Sequence, residues 1–328
     1  MTLQRPEHLK ISTGQLHLPV YFPSVSSVKT TLPPIEYVRA LNALSSVNKQ
    51  YLVSAFDLVR TDAEQRSQIQ GELKKARDNG VIVLMDSGNY ESYWKVPMPG
   101  WSQDEFHSAL RDFSCDLAFG FDEQRPPADT GQHLKILNER YVKDRAAAGN
   151  ALLVPIIHGN KESLPNICTQ FAQTQCLQMI AVPERCLGLG IFERASTVSA
   201  IRQQLNESGH YVGLHLLGTG NPLSLAIYAI SGADSFDGLE WCQTVVDHET
   251  SLLHHFSQGD FFRGQTRWGD EELAFQLRNL AHNIEFYSDW MRRMVEAFRS
   301  GAQTEFCRAN FPERIYSMCR NELGWELA

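Results

Sequence analysis

Long apolar runs are missing from this chain. The longest, such as ALLVPII at 151–157, falls far short of the roughly 20 residues that a membrane-spanning helix needs. The opening segment, MTLQRPEHLK, has no apolar stretch of the kind a secretion signal carries. These absences predict a cytoplasmic protein with no membrane partner. Cysteine is sparse: the 7 residues are odd in number and widely spaced, and no Cys-x-x-Cys pair occurs. That pattern argues against a disulfide framework and fits reduced intracellular thiols. A basic excess is also missing, the net charge being −8. Phosphate contacts dominate nucleic-acid affinity, so this balance weighs mildly against such a partner, while leaving room for a local basic face. No low-complexity tract, long charge run or fixed-period repeat occurs. No Gly-x-Gly-x-x-Gly follows the first strand-like run, which removes the main support for an open dinucleotide-binding sheet.

What is present is a core-forming composition, with 328 residues of which 43% are hydrophobic and 21% charged. That length suits one α/β barrel with a helical appendage. Eight short apolar runs read as strands: 19–24, 50–56, 80–86, 115–122, 151–158, 177–182, 211–218 and 234–238. Helical patterns lie between them. PPIEYVRALNAL has Pro at its start, DAEQRSQIQGELKKARDNG ends in Asn-Gly, and SQDEFHSALRDF opens on a Ser cap. PLSLAIYAISGA follows a Gly-Thr-Gly-Asn turn. Strands buried on both faces and separated by helices imply a parallel sheet, and eight of them imply closure. The expectation is a (β/α)₈ TIM barrel over residues 1–268. A C-terminal helical extension over 269–328 would pack on it, carried by EELAFQLRNLAHNIEFYSDWMRRMVEAFRSG and PERIYSMCRNELGW.

Barrel enzymes carry their chemistry at the C-terminal ends of the strands. Here those ends hold Asp86, Asp122-Glu123, His158-Gly159, Pro183-Glu184, Gly218-Thr219-Gly220 and Asp237. Each has a plainer reading. An Asp after a strand often caps the next helix, which suits Asp86 and Asp122. Glu123 reads best as a solvated loop residue, and Glu184 is open to the same reading. His158 is either a satisfied structural histidine or a group that hydrogen-bonds a heterocycle edge. The 218–221 turn either cradles a phosphate or, more commonly, is a tight βα turn. Gly188-Leu189-Gly190 offers, more weakly, close backbone approach to a flat ligand. Three carboxylates and a histidine at one mouth are harder to explain by capping than any one of them.

Six segments in order resemble motifs of the tRNA-guanine transglycosylase superfamily, over nearly the whole chain. They are LMDSGNYE, AFGFDEQRPPA, VPIIHGN, HLLGTGNP, GADSFDGLEW and AHNIEFYSDWMRRM. The resemblance implies that Asp237 is the nucleophile and Asp86 the general acid/base. It also implies that Asp122 reads the guanine edge and that His158 stands where the family has a base-reading glutamine. Ser87, Gly88, Tyr90 and Gly218 fall in the same base-binding segments. The implied chemistry is attack of a carboxylate on C1′, a covalent glycosyl ester, and exchange of guanine with net retention. No cofactor is required.

Two family features are absent. The family's structural zinc uses Cys-x-Cys-x-x-Cys and a later His; His282 matches the His, but no cysteine lies between Cys242 and Cys307. Cys242, His248, His254, His255 and His282 match no zinc template, so no metal is expected. The family's Thr-Arg-x-x-Arg after the nucleophile is replaced by Leu239-Glu240-Trp241-Cys242. Both features help hold tRNA, so their loss favours the branch that inserts 7-deazaguanines such as preQ0 into DNA. Accessory DNA-modification proteins are compatible with that reading. Arg263, Arg267, Arg292, Arg293, Arg299, Arg308, Arg314 and Arg320 are candidates for phosphate contacts, against the plainer reading of a solvated helical face. Tyr90 and Trp241 are candidates for walling a flipped base. Three alternatives stay open: a tRNA substrate, a non-catalytic partner subunit, and a hydrolase of free nucleosides.

Overall fold

A computed structural model describes residues 3–27, 30–90 and 100–325. The chain begins with an unforeseen antiparallel hairpin, β1 (His8–Ile11) and β2 (Gly14–His17). All eight apolar runs then form parallel strands of one sheet. These are β3 (Val20–Val25), β4 (Gln50–Ser54), β5 (Ile82–Asp86), β6 (Leu117–Phe119), β7 (Leu152–Val154), β8 (Met179–Pro183), β9 (Gly213–Leu217) and β10 (Ser235–Gly238). Neighbours follow chain order, and β10 pairs with β3. Between β7 and β8 the ring is joined by Ile157 N–H on the Ala181 carbonyl at 2.8 Å and Ala181 N–H on that of Pro155 at 2.9 Å. The architecture is the expected (β/α)₈ barrel.

Strand parity sorts the side chains, because successive residues point to opposite faces. Phe22, Leu52, Leu84, Phe119, Val154, Ile156, Met179 and Ala181 fill the inside. Tyr21, Tyr51, Val53, Val83, Met85, Ile180, Val182, Leu214, Leu216 and Phe236 pack outward under the helices. This double burial is why the strands read as unbroken apolar runs. The same parity turns the next inward position at each C-terminal end to the mouth: Ser24, Asp86, His158 and Asp237. At the other end, Leu9, Ile11, Leu16 and Leu18 of the hairpin join the inner cluster and close the barrel floor. Thr13 holds the hairpin to Asp116 at 2.7 Å, and Arg5 holds it to Asp234 at 2.6 Å.

Helices lie between the strands where the caps place them. Ser102 and Glu105 form a complete capping box on Gln103–Asp112, Asp62 caps Ala63–Asp78, and Asn221 caps Pro222–Ser231. After β10 come a short helix (Glu240–Gln243), a hairpin of β11 (Thr244–Val246) with β12 (Leu253–His255), and a 3-10 segment (Phe256–Gln265). The long helix Phe275–Ser300 follows, closed by Gly301 in the left-handed conformation, then Gln303–Asn310 and Glu313–Leu323. Among the described residues, no helix is long and apolar enough to cross a membrane.

Candidate active site

A cavity of about 370 Å³ opens at the C-terminal mouth of the barrel, within the usual range of roughly 300–1,000 Å³ for small-ligand pockets. Asp86, Ser87, Tyr90, Asp122, His158, Gly218 and Asp237 all line it. Seven residues named from the sequence therefore meet at one place. Gly88 does not line the cavity: its N–H binds the Asp86 carboxylate at 2.9 Å. At φ +74°, an added Cβ would stand 2.4 Å from Cβ of Phe56. Gly88 thus shapes the turn that aims Asp86. Glu91, the last residue of that motif, lies outside the described residues.

Asp237 is held by three donors. Oδ2 accepts from the Ser24 hydroxyl at 2.8 Å. Oδ1 accepts from His215 Nε2 at 3.0 Å and from the Gly218 N–H at 3.2 Å. His215 is fully buried; its Nε2 faces the acceptor-only Asp237 carboxylate and so carries a proton, while Nδ1 meets the Ser235 hydroxyl at 2.7 Å. A carboxylate oxygen accepts about two hydrogen bonds. Oδ1 is therefore filled, while Oδ2 keeps one lone pair at the cavity. The residues that hold Asp237, Ser24 and His215, are unforeseen members of the candidate site; inward strand parity is the sequence signal for them.

Asp122 and His158 form a buried pair, His158 Nε2 to Asp122 Oδ2 at 2.5 Å. Burial alone would push His158 down, but the Asp122 bond, aided by Cys186, raises it to about 9. Burial likewise works against the Asp122 anion, yet the bonds from His158 and Asn89 hold it below the ordinary carboxylate range. Each partner thus favours the charged form of the other. Cys186 Sγ lies 3.9 Å from His158 Nδ1.

Two further carboxyls line the cavity. Glu184 accepts from Arg194 at 2.9 Å and from the Tyr228 hydroxyl at 2.8 Å, so it is a structured wall residue, not a solvated one. Glu240, unforeseen, sits where side chains on Gly220 and Gly238 would be, its Oε2 at 2.1 and 2.3 Å from their added Cβ positions. Burial first, and then the charge of Asp237, push Glu240 up to about 7. Glu123 is paired with Arg140 at 2.6 Å.

Trp241 does not wall the cavity. It is fully buried against Tyr37, and its indole N–H donates to the Ser24 carbonyl at 2.9 Å. The His-Asn-x-x-Phe-Tyr segment anchors the stretch after Asp237. Asn283 bonds the carbonyls of Trp241 and Thr244, each at 2.7 Å, and His282 bonds Val246 at 2.7 Å. Tyr287 reaches the Gly220 carbonyl at 2.6 Å and stacks on Tyr21.

Of the residues named as zinc candidates, His282 Nε2 is engaged by the Val246 carbonyl and Cys242 Sγ points to the Leu239 carbonyl at 3.2 Å. Among the described residues, no three or more His, Cys, Asp or Glu side chains gather as a metal would need.

None of the eight arginines named for phosphate lines the cavity. Arg263 bonds the Gly269 carbonyl, and Arg267 lies over Trp268 and near Glu285. Arg292 pairs with Asp289 and Glu296, and Arg293 with Asp289 and Asn310. The arginines at the mouth are instead Arg185, which bonds Gln124 and lies 5.3 Å over the Tyr90 ring, and Arg194. No protein-family model matches the chain, and neither does any curated protein.

Proposed function

We propose that this chain is a base-exchange transglycosylase of the tRNA-guanine transglycosylase kind, acting on DNA. The observation that carries the proposal is Asp237, a buried carboxylate with one oxygen filled and the other open to a small-ligand cavity. Oδ2 attacks C1′ of the target nucleotide. The bond from C1′ to N9 breaks, its electron pair leaves on guanine, and Asp86 supplies the proton. An incoming 7-deazaguanine then returns its N9 proton to Asp86 and displaces Asp237 from C1′. Two inversions give retention.

Asp122 lines the same cavity, and its Oδ1, which among the described residues accepts only from Asn89 at 3.0 Å, keeps acceptor capacity suited to the donor edge of a purine. A DNA substrate is favoured over tRNA by the absent zinc ligands and by Leu239-Glu240-Trp241-Cys242 in place of a basic stretch. The test is incorporation of labelled guanine, or of preQ0, into DNA and tRNA, with denaturation-stable adducts sought in wild type and Asp237→Asn. Label in DNA and an adduct lost in Asp237→Asn are expected. Label in tRNA alone refutes the DNA assignment, and cleavage of free nucleosides without polymer refutes the exchange reading.

A further inference from the structure

The loop after β8 carries the most exposed large apolar side chain among the described residues, Leu189, at 94%. Its surroundings are rigid. Glu184 and Arg185 line the cavity before it, Leu187 is fully buried, and Arg194 lines the cavity after it. Arg194 Nε holds the Gly188 carbonyl at 2.9 Å, and the Leu189 N–H binds Glu193 Oε2 at 2.6 Å. The Gly190 carbonyl accepts the Arg194 N–H at 2.9 Å, and the Leu187 carbonyl accepts the Thr197 hydroxyl at 2.8 Å. Glu193 is in turn paired with Lys161. Gly188 has φ +127°, and a Cβ there would meet the Glu193 carboxylate at 2.5 Å.

Isolated exposed leucines are ordinary on protein surfaces. This one differs in two respects. The backbone is tied on both sides of it, so the side chain is held out by construction. It also lies in the loop between Arg185 and Arg194, both of which line the candidate active site. Arg185 of that loop lies 5.3 Å over the ring of Tyr90, which is 41% exposed, a surface on which a base can stack.

A nucleotide stacked within a duplex cannot present C1′ to Asp237 until it is extruded. Extrusion leaves a gap in the stack, and apolar side chains fill such gaps by wedging between base steps. We propose that Leu189 is such a wedge, entering the base stack of duplex DNA at the place left by the nucleotide held over Asp237. This inference rests on the transglycosylase reading and narrows its substrate to double-stranded DNA. A single strand, whose bases are already free, has no gap to fill.

The experiment compares wild type, Leu189→Ala and Leu189→Phe for exchange of labelled guanine into one sequence offered as a duplex and as a single strand. Because Leu189 is exposed, each variant keeps the wild-type melting temperature. On the duplex, Leu189→Ala slows exchange by about tenfold or more, and Leu189→Phe retains most of it. On the single strand all three agree within about twofold. A 2-aminopurine beside the target brightens with wild type and Leu189→Phe, and not with Leu189→Ala. Equal rates for wild type and Leu189→Ala on the duplex overturn the wedge, as do equal losses on both substrates or exchange confined to single strands or RNA. If wild type exchanges no base in any polymer, the transglycosylase reading itself falls, and the wedge with it.

Discussion

The hydroxyl of Ser24 and the carboxylate of Asp237, 213 residues apart in the chain, meet at 2.8 Å on the barrel's inner wall. Ser24 sits on the last inward turn of β3, and its own carbonyl is held by the indole of Trp241. The hydroxyl thus orients the one oxygen of Asp237 that keeps a lone pair for the cavity. Ser24→Ala removes that donor without disturbing Oδ1. The expected result is a kcat for base exchange lowered by about tenfold, with KM within about twofold. Thermal melting should move little, by an amount worth about 1 kcal/mol. Steady-state kinetics with labelled base read both; an unchanged kcat removes Ser24 from the site.

Glu240 sets a pH limb. Its folded-state value is raised to about 7, so the neutral acid is favoured in the folded protein. Ionisation above that value puts a second negative charge beside Asp237. Exchange should therefore decline as pH rises through about 7, and Glu240→Gln should flatten that decline. Stability follows the same sign. Because the folded value lies above the unfolded one, stability falls as pH rises from the ordinary glutamate range through about 7. Glu240→Gln should thus melt higher than wild type at pH values above that limb.

The histidine of the Asp122–His158 pair has the same sign of dependence, in a higher pH window. His158 is raised from 6.5 to about 9 in the folded protein. Its contribution is fully present below the unfolded value and is lost as pH rises through about 9. The loss is on the order of 3 kcal/mol at most. Asp122, held low, contributes above its unfolded value and loses that contribution in acid. Melting curves of wild type and His158→Gln should differ most near neutrality and converge in the alkaline range. A constant gap between them would show that the ion pair does not account for the difference.

Gly88→Ala tests the turn behind Asp86. The new methyl would lie 2.4 Å from Cβ of Phe56, at a φ of +74° that side chains disfavour. The expected cost is roughly 2–3 kcal/mol in chemical denaturation, with a loss of kcat beyond what the stability change explains, because the Gly88 N–H holds the Asp86 carboxylate. Full activity would mean that Asp86 does not depend on this turn.

How much of this was legible follows from where the information sits. The eight strands were plain because both their faces are buried, which makes them unbroken apolar runs. Asp86 and Asp237 were plain because a carboxylate at a barrel strand end stands out from Val, Leu and Phe around it. Ser24 and His215 were not, since a Ser in PVYFPS and a His in LHLLG look like any tolerated core polar residue. Only their shared partner gives them meaning. Glu240 owes its burial to Gly220 and Gly238, one of which lies on the preceding strand-end turn. Charge in a helix pattern does not reveal its intramolecular partner: Arg292 pairs with Asp289 and Glu296 of its own helix. The β1–β2 hairpin did alternate, as Leu9, Ile11 and Leu16 show, but four-residue strands are too short to register.

That hairpin shuts the barrel from below. With Leu9, Ile11, Leu16 and Leu18 corking the floor and the interior filled with side chains, nothing passes through from below. An enzyme that swaps one base for another in this cavity must send the departing base out by the entrance through which its replacement comes in. The two molecules have to take turns, and the polymer stays tethered to the protein through the interval between them. A kinetic signature follows from plumbing alone: the released base should compete with the incoming one for the same empty seat.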